Sequence, residues 1–525
     1  MRLRASALGL ALALTAFVRP AEAQQFTTDD PVLQRIWTLG MDSSRAEAYM
    51  QVLLDSVGPR LTGSPGHRSG NEWLVRTYGE LGIEARNEQY GTWKGWRRGV
   101  SHIDLMAPRV RSLEGQMLAW SPGTGGRAVE APAIILPDVA DSAAFARWLP
   151  QAKGKHVLIS FPQPTCRPDT SWKAWATPES FAKMDTARTL ARDAFNQRLE
   201  RTGYTARTLP VALEQAGARG IVTSLWSNGW GVNKIFQART ERIPTVDLSC
   251  EDYGLVWRLA ENEQAPRLRI TADAEFMGEV PVFNTIATIP GTEKPDEYVV
   301  LSAHFDSWDG SSGATDNGTG TITMLEAMRI LKAVYPQPKR TIIVGHWGGE
   351  EQGLNGSRAF AADHQEIVQG LQVLLNQDNG TGRVSNISLQ GFTGAGADFA
   401  RWLSQVPSDI TQHIDLQLPG FPGGGGSDYA AFVCYGAPSF SLSSNSWEYG
   451  TYTWHTNRDT YDKVSFDEVR NNATLTAMLA YLAANQDERV AREQRSVLGS
   501  NPRTGEARSW PECQTPARTS GESTR

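Results

Sequence analysis

Tyr298-Val299-Val300-Leu301-Ser302-Ala303-His304-Phe305-Asp306 is an apolar run ending on a histidine and an acid, and soon after it Gly313-Ala314-Thr315-Asp316-Asn317-Gly318 opens an apolar helical pattern over 318–334. A run with no polar alternation reads as a strand buried on both faces. Outward from it the pattern repeats: a strand over 341–346, a helix over 354–364, a strand over 371–378, a strand near 439–442 and a helix from about 466 to 484. Strands alternating with helices predict an α/β fold in three layers, a mostly parallel sheet with helices on both faces. In such sheets ligands collect beyond the carboxyl ends of the strands.

The residues able to do chemistry fall at those ends. His304 closes the first run, Asp316 lies in the turn before the helix, Glu350-Glu351 follow the run that ends at His346, Asp378 follows Val373-Leu374-Leu375, and His455 sits in Tyr452-Thr453-Trp454-His455-Thr456. Taken singly, a strand-end His or Asp is usually a surface or capping residue, and an acid pair suits a helix start. Together they can converge on one crevice. Oxygen and imidazole donors without thiolates suit zinc in an open catalytic site better than a closed structural one. Asp306 stands two residues from His304 on the same side of an extended segment, where its carboxylate can accept the second imidazole N–H, and Asp459 is the corresponding acid for His455. His346, on Ile342-Ile343-Val344, reads as a core histidine.

His304-Phe305-Asp306-Ser307-Trp308-Asp309, Asp316-Asn317-Gly318, Glu350-Glu351-Gln352-Gly353, Asn376-Gln377-Asp378 and His455 with Asp459-Thr460 resemble the M28 zinc exopeptidases, over about residues 31–484. The resemblance implies two Zn2+ ions per subunit, with His304 and Asp378 on one, Glu351 and His455 on the other and Asp316 bridging both. It also implies that Glu350 is the general base acting on a metal-bridging water, and that the Asp316–Asn317 bond is cis. The adjacency of Glu350 and Glu351 suits divided roles, because successive side chains of an extended turn diverge. The expected reaction is hydrolysis of terminal peptide bonds of short peptides or dipeptides, of aminopeptidase or of dipeptidase/carboxypeptidase type, with a peptide substrate as partner. One position departs from the pattern. Some relatives carry a Tyr before the final His, whereas this chain has Trp454, whose indole donates a hydrogen bond but cannot ionise. Tyr452 and Tyr429 are the candidate substitutes, and Asp428, after Gly423-Gly424-Gly425-Gly426-Ser427, is a further candidate substrate contact. Arg383 and Arg458 could take a terminal carboxylate. Two other functions fit the scaffold: a single-zinc acyltransferase resembling glutaminyl cyclases, and a non-catalytic binding protein.

Between about 114 and 276 the texture changes to short β-like runs at 133–136, 156–161, 220–223 and 243–248. Gly154-Lys155-His156-Val157-Leu158-Ile159, Ala216-Gly217-Ala218-Arg219-Gly220-Ile221 and Ile243-Pro244-Thr245-Val246 resemble a protease-associated domain, a module without catalytic groups that would act as a lid or wall. The expected organisation is a discontinuous peptidase domain of residues 24–113 and 277–485, an inserted smaller α/β domain of residues 114–276, and a polar tail of residues 486–525. Asp55-Ser56-Val57-Gly58-Pro59-Arg60-Leu61-Thr62-Gly63-Ser64 and Trp96-Arg97-Arg98-Gly99 are most similar to the carboxypeptidase Q branch of the family, whose members cleave dipeptides.

The 525 residues carry 51 basic and 57 acidic side chains, a net charge of -6, and are 40% apolar, which is globular composition with no electrostatic footprint for nucleic acid. Residues 1–23 combine a basic start, an apolar run and Ala21-Glu22-Ala23, the pattern of a secretory signal cleaved near Gln24, so the expected location is periplasmic or extracellular. The apolar run is too short for a stable membrane span. Four cysteines suit an oxidising compartment and leave three pairings open, with Cys166–Cys250 favoured because both fall in the inserted segment. The oligomeric state stays open, a homodimer included.

Overall fold

The structure, a computed structural model, describes residues 26, 28–378, 380–500 and 504–522. The expected signal at 1–23 lies outside the described residues.

The run that ends on His304 is the strand Lys294–His304, inside a sheet of fourteen strands among the described residues. It pairs in parallel with Arg340–Trp347 on one side and Leu371–Asn376 on the other, and the latter pairs in parallel with Ser439–Ser444. Val299, Leu301 and Ala303 pack into one core with the helices Thr319–Val334 and Phe466–Asn485, while Val300 points the other way, toward Phe360, Ile367 and Phe432. Because both faces are covered, alternate residues have no solvent side to turn to and the strand stays apolar throughout. Parallel pairing also brings equivalent strand ends together: Trp347 lies opposite His304, and Asn376 opposite Ser302.

The sheet is mixed rather than mostly parallel. Its longest ladder is antiparallel, between Glu84–Ala107 and Arg267–Ile289, running from Glu84 opposite Thr288 to Ala107 opposite Arg267. Register shifts interrupt it between Gln89 and Gly91, Gly95 and Trp96, and Arg98 and Ser101, so its side chains do not keep the apolar alternation of a strand. These two strands lead from the first core to a second, in residues 114–276. There Val129–Ile135, His156–Leu158, Gly220–Thr223 and Thr245–Leu248 pair in parallel around Val157, Leu158, Ile221, Val222 and Val246. The expected boundary at 276/277 thus falls inside a strand that serves both cores.

Cys166 and Cys250 form a disulfide in the inserted segment, and Cys434 and Cys513 form another. The second helps to dock the polar tail. Trp510 Nε1 donates to the Val433 carbonyl at 2.8 Å, and the Arg518 carbonyl accepts from the Thr92 amide at 2.8 Å. Among the described residues no helix is long and apolar enough to cross a membrane.

Candidate metal centre

The loop that joins His304 to Asp316 is built on Arg60. This side chain is fully buried and donates to four carbonyls: Nε to Phe305 at 2.7 Å, Nη1 to Gly58 at 3.1 Å and to Ser312 at 2.7 Å, and Nη2 to Gly313 at 2.9 Å. Burial pulls its guanidinium down to about 10, with Asp459, Asp306 and Asp316 opposing, so it stays charged at neutral pH. Gly313 takes φ +62, and a Cβ there would meet Ser307 Cβ at 2.4 Å, so the turn before Asp316 needs glycine. The Asp316–Asn317 bond is cis. Asn317 Nδ2 then donates to the Gln377 carbonyl at 2.9 Å, which ties this loop to the one bearing Asp378.

Two groups of side chains converge here. His304, Asp316 and Asp378 form one, and Asp316, Glu351 and His455 the other, each offering ligand atoms within 4.8 Å of one another. His304 Nε2 lies 3.2 Å from Asp378 Oδ1 and 3.4 Å from Asp316 Oδ1. His455 Nε2 lies 2.8 Å from Glu351 Oε2 and 3.1 Å from Asp316 Oδ2. A neutral imidazole nitrogen presents either one proton or one lone pair, yet each of these faces two carboxylates. His304 Nδ1 is 3.0 Å from the Asp306 carbonyl, which places the proton there and turns the Nε2 lone pair inward. This nitrogen and oxygen donor set fits zinc, and the shared Asp316 fits a bridge between two ions. Burial raises the Asp316 carboxyl, but the imidazoles of His455 and His304 outweigh it and hold it below the usual range.

Glu350 is half-buried beside these groups. Burial, opposed by His304 and reinforced by Asp378, Asp428 and Glu351, pushes its carboxyl well above the ordinary value. A carboxylate with a raised pKa can both take up and hold a proton.

Asp306 and Asp459 sit at the site but do not act as their spacing suggested. The Asp306 carboxylate is 3.7 Å from His304 Nδ1; instead its oxygens accept from the Glu350 amide at 3.1 Å, the Glu351 amide at 3.2 Å and Thr62 Oγ1 at 3.2 Å. The main chain of Asp306 reaches the imidazole first, which frees the carboxylate to clamp the acid pair. Asp459 accepts from the amides of Thr315 at 2.8 Å and Asp316 at 3.0 Å, and so braces the bridging loop rather than His455. His455 adopts φ +58 and the chain then turns, so these two side chains do not share an extended face.

The remaining candidates separate. Trp454 stacks on His455 at 3.9 Å between centroids, with the Lys234 ammonium 4.2 Å above its ring. Tyr429 donates to the Gly425 carbonyl at 3.2 Å, under the glycine run. The Tyr452 ring faces Gly229 of the inserted segment, 2.8 Å from where a Cβ would stand. Asp428 is fully buried, and burial pushes its carboxyl up to about 7, with His304 opposing. Arg383 is engaged with Glu468, at 2.6 Å, and Arg458 with Glu114, so neither arginine is held for a substrate carboxylate. His346 is a buried core histidine, 2.7 Å from the Tyr78 hydroxyl.

Four residues at the site had no assigned role in the sequence. Trp308 Nε1 donates to Glu351 Oε2 at 2.8 Å and so orients that carboxylate. Tyr449 packs on Gly380, 3.2 Å from a would-be Cβ; burial, then Asp316, Asp378 and Glu351, push its phenol well above the usual value. Phe236, from the inserted segment, stands edge-on to His455 at 5.3 Å and to Trp308 at 5.4 Å. Lys234 of the same loop donates to the carbonyls of Gly450 at 3.0 Å and Trp454 at 2.9 Å, and burial pulls its ammonium down to about 8. Local spacing held a signal only for Trp308, four residues from His304.

Residues 284–480 match the family model described as "Peptidase family M28". Carboxypeptidase Q of Mus musculus is 24% identical over 453 residues, covering 86% of this chain and 88% of that protein. Among solved structures, a peptidase M28 precursor from Shewanella amazonensis SB2B superposes with a TM-score of 0.62 at 21% identity, covering 87% of this chain and 97% of that one. BSAP, a zinc aminopeptidase from Bacillus subtilis, does so with a TM-score of 0.52 at 20% identity, covering 86% and 97%. Both structures are similar to this chain in fold.

Proposed function

We propose, from the match of residues 284–480 to peptidase family M28, that this chain is an exported di-zinc exopeptidase hydrolysing terminal peptide bonds of short peptides or dipeptides. The observation that carries the reading is the pair of ligand groups joined through Asp316, with Glu350 next in chain to one of the ligands. His304, Asp316 and Asp378 would hold one zinc, and Asp316, Glu351 and His455 the other. Bound there, zinc supplies Lewis-acid polarisation of the scissile carbonyl and lowers the pKa of water.

The chain's own groups do the rest. Glu350 takes a proton from the attacking water as its oxygen bonds to the carbonyl carbon, and returns it to the amine nitrogen as the C–N bond breaks. Asp306 holds both backbone amides of the acid pair, which keeps Glu350 turned to the substrate while Glu351 ligates. Phe236 and Trp308 close one side against water. Export is supported by the two disulfides and by the expected signal at 1–23.

The test is hydrolysis of dipeptides, N-blocked peptides and C-amidated peptides by the zinc-loaded mature protein, beside Glu350→Gln. Loss of the base costs about 10²–10⁴-fold in kcat while metal content, measured by elemental analysis, stays at two per chain. A free-amine requirement with amidation tolerated identifies an aminopeptidase; a requirement for both free ends identifies a dipeptidase. Zinc-loaded protein that cleaves none of the panel sinks the reading.

A further inference from the structure

The inserted segment holds a cavity of about 460 Å³, a size suited to a small organic ligand. It lies beyond the carboxyl ends of the strands His156–Leu158 and Gly220–Thr223, where open α/β sheets take their ligands. Its walls are mainly apolar, with Phe161, Phe195, Leu199 and Leu209 among them. Against that lining stands one charged group, Arg239, half-buried, with a second arginine, Arg207, on the same cavity. No carboxylate pairs with Arg239 among the described residues. Burial lowers its guanidinium, and the neighbouring charge acting on it is Arg207, which lowers it further. A half-buried cation on a mainly apolar wall, with no carboxylate beside it among the described residues, lacks the anion that would compensate it.

The wall carrying Arg239 has a second face. Residues 236–238 pair with Ala119, the Ala119 amide donating to the Phe236 carbonyl at 2.9 Å and the Ala238 amide to the Ala119 carbonyl at 2.8 Å. Leu118, Gln237, Ala238 and Arg239 line the cavity. Their chain neighbours Trp120 and Phe236 instead meet Trp308 edge-on, at 5.9 and 5.4 Å, and Phe236 meets His455 in the same way. One ribbon therefore separates the cavity from the candidate metal centre.

We propose that this cavity is a second binding site, for a carboxylate bearing an apolar body, and that its occupant sets the position of Phe236 over the catalytic centre. Arg239 takes the carboxylate through its planar fork of N–H donors, and the apolar wall takes the body. Such a ligand has two sources, the free C-terminus of an apolar amino acid or peptide and an aliphatic acid.

The test uses the zinc-loaded full mature chain with three probes: N-acetyl-leucine, its uncharged amide, and decanoate. Calorimetry is expected to give saturable binding of at least one carboxylate, weakened tenfold or more in Arg239→Gln, and none of the amide; the tighter of the two carboxylates identifies the source. That variant keeps the wild-type melting temperature and, without ligand, the wild-type kcat/KM. Saturating carboxylate changes KM for a dipeptide at least threefold in the wild type and leaves Arg239→Gln unmoved. No saturable binding, equal binding of the amide, undiminished affinity in Arg239→Gln, or an unchanged KM at saturation each overturn the proposal. Because binding is read by heat, its failure is distinct from a failure of the peptidase reading, which is read by turnover.

Discussion

Arg60 shows how far the centre depends on a residue that touches no ligand atom. Its five N–H donors serve four carbonyls spread over residues 58–313, so the geometry of the His304 and Asp316 loops is set by one planar cation. A buried carbonyl left without a donor costs about 1–3 kcal/mol. Arg60→Met is therefore expected to lower stability by about 3 kcal/mol or more and to weaken zinc binding by about 10–100-fold, the usual effect of removing support behind metal ligands. Thermal denaturation and zinc titration against a chelator check both; unchanged zinc affinity contradicts the scaffold role. The same contrast explains what local sequence can reveal at this scale. His304, Asp316, Glu350, Glu351, Asp378 and His455 could be read because strand ends and turns announce them. Asp306 was placed beside the right imidazole but reaches it through its carbonyl, and Asp459 braces the bridging loop instead of His455, since spacing does not say whether a residue's carbonyl or its carboxylate arrives first. Phe236 and Tyr449 were invisible, because tertiary packing alone brings them to the ligands.

At the scale of elements, the buried parallel strands were legible because continuous apolar runs have no other soluble use. The strands Glu84–Ala107 and Arg267–Ile289 were not: their exposed and half-buried positions and shifted register blur the period of two. The helix Pro178–Arg201 was also missed, for it buries only Met184 and Phe195 and so shows no apolar stripe. The tail is the clearest case. A polar stretch predicts little packing and only Trp510 and Cys513 hint that part of it docks, yet Trp510 stands edge-on to Phe392 at 5.4 Å and Ala517 N donates to Asn355 Oδ1 at 2.9 Å. Here a covalent link does what burial does elsewhere. The Cys434–Cys513 bridge spans 79 residues, and closing a loop of that size contributes about 2–4 kcal/mol. The Cys434→Ser, Cys513→Ser double variant is expected to lose about 2–4 kcal/mol of stability and so to melt at lower temperature, and limited trypsin should then cut first at Arg508 and Arg518. A tail that stays protease-resistant in the variant shows that its non-covalent contacts suffice.

For the molecule as a whole, the two cores share one vulnerability to acid. His67 and His346 are buried in the first unit and His156 in the second, and none of them is among the candidate ligands. Burial pulls His67 and His156 down to about 4 and His346 to about 3, and in each case desolvation of the charged ring is the leading cause. In the unfolded chain the same rings titrate near 6.5. Between these values the unfolded state binds protons that the folded state refuses, so the free energy of unfolding decreases as pH falls. Stability from this source is complete above pH 6.5 and is lost progressively toward pH 4. A shift from 6.5 to about 4 corresponds to about 3 kcal/mol per ring. Acid also releases zinc, so the slope must be isolated by comparison at equal free metal. A His156→Gln, His346→Gln double variant removes two of the three protonation sites and leaves every candidate ligand in place. Denaturant titrations from pH 7 to pH 4.5 are expected to show the wild type losing stability more steeply than the variant, with the gap opening below pH 6.5. Parallel curves would assign the acid sensitivity to the metal centre alone; a gap confined to one unfolding transition would show that the two cores open separately.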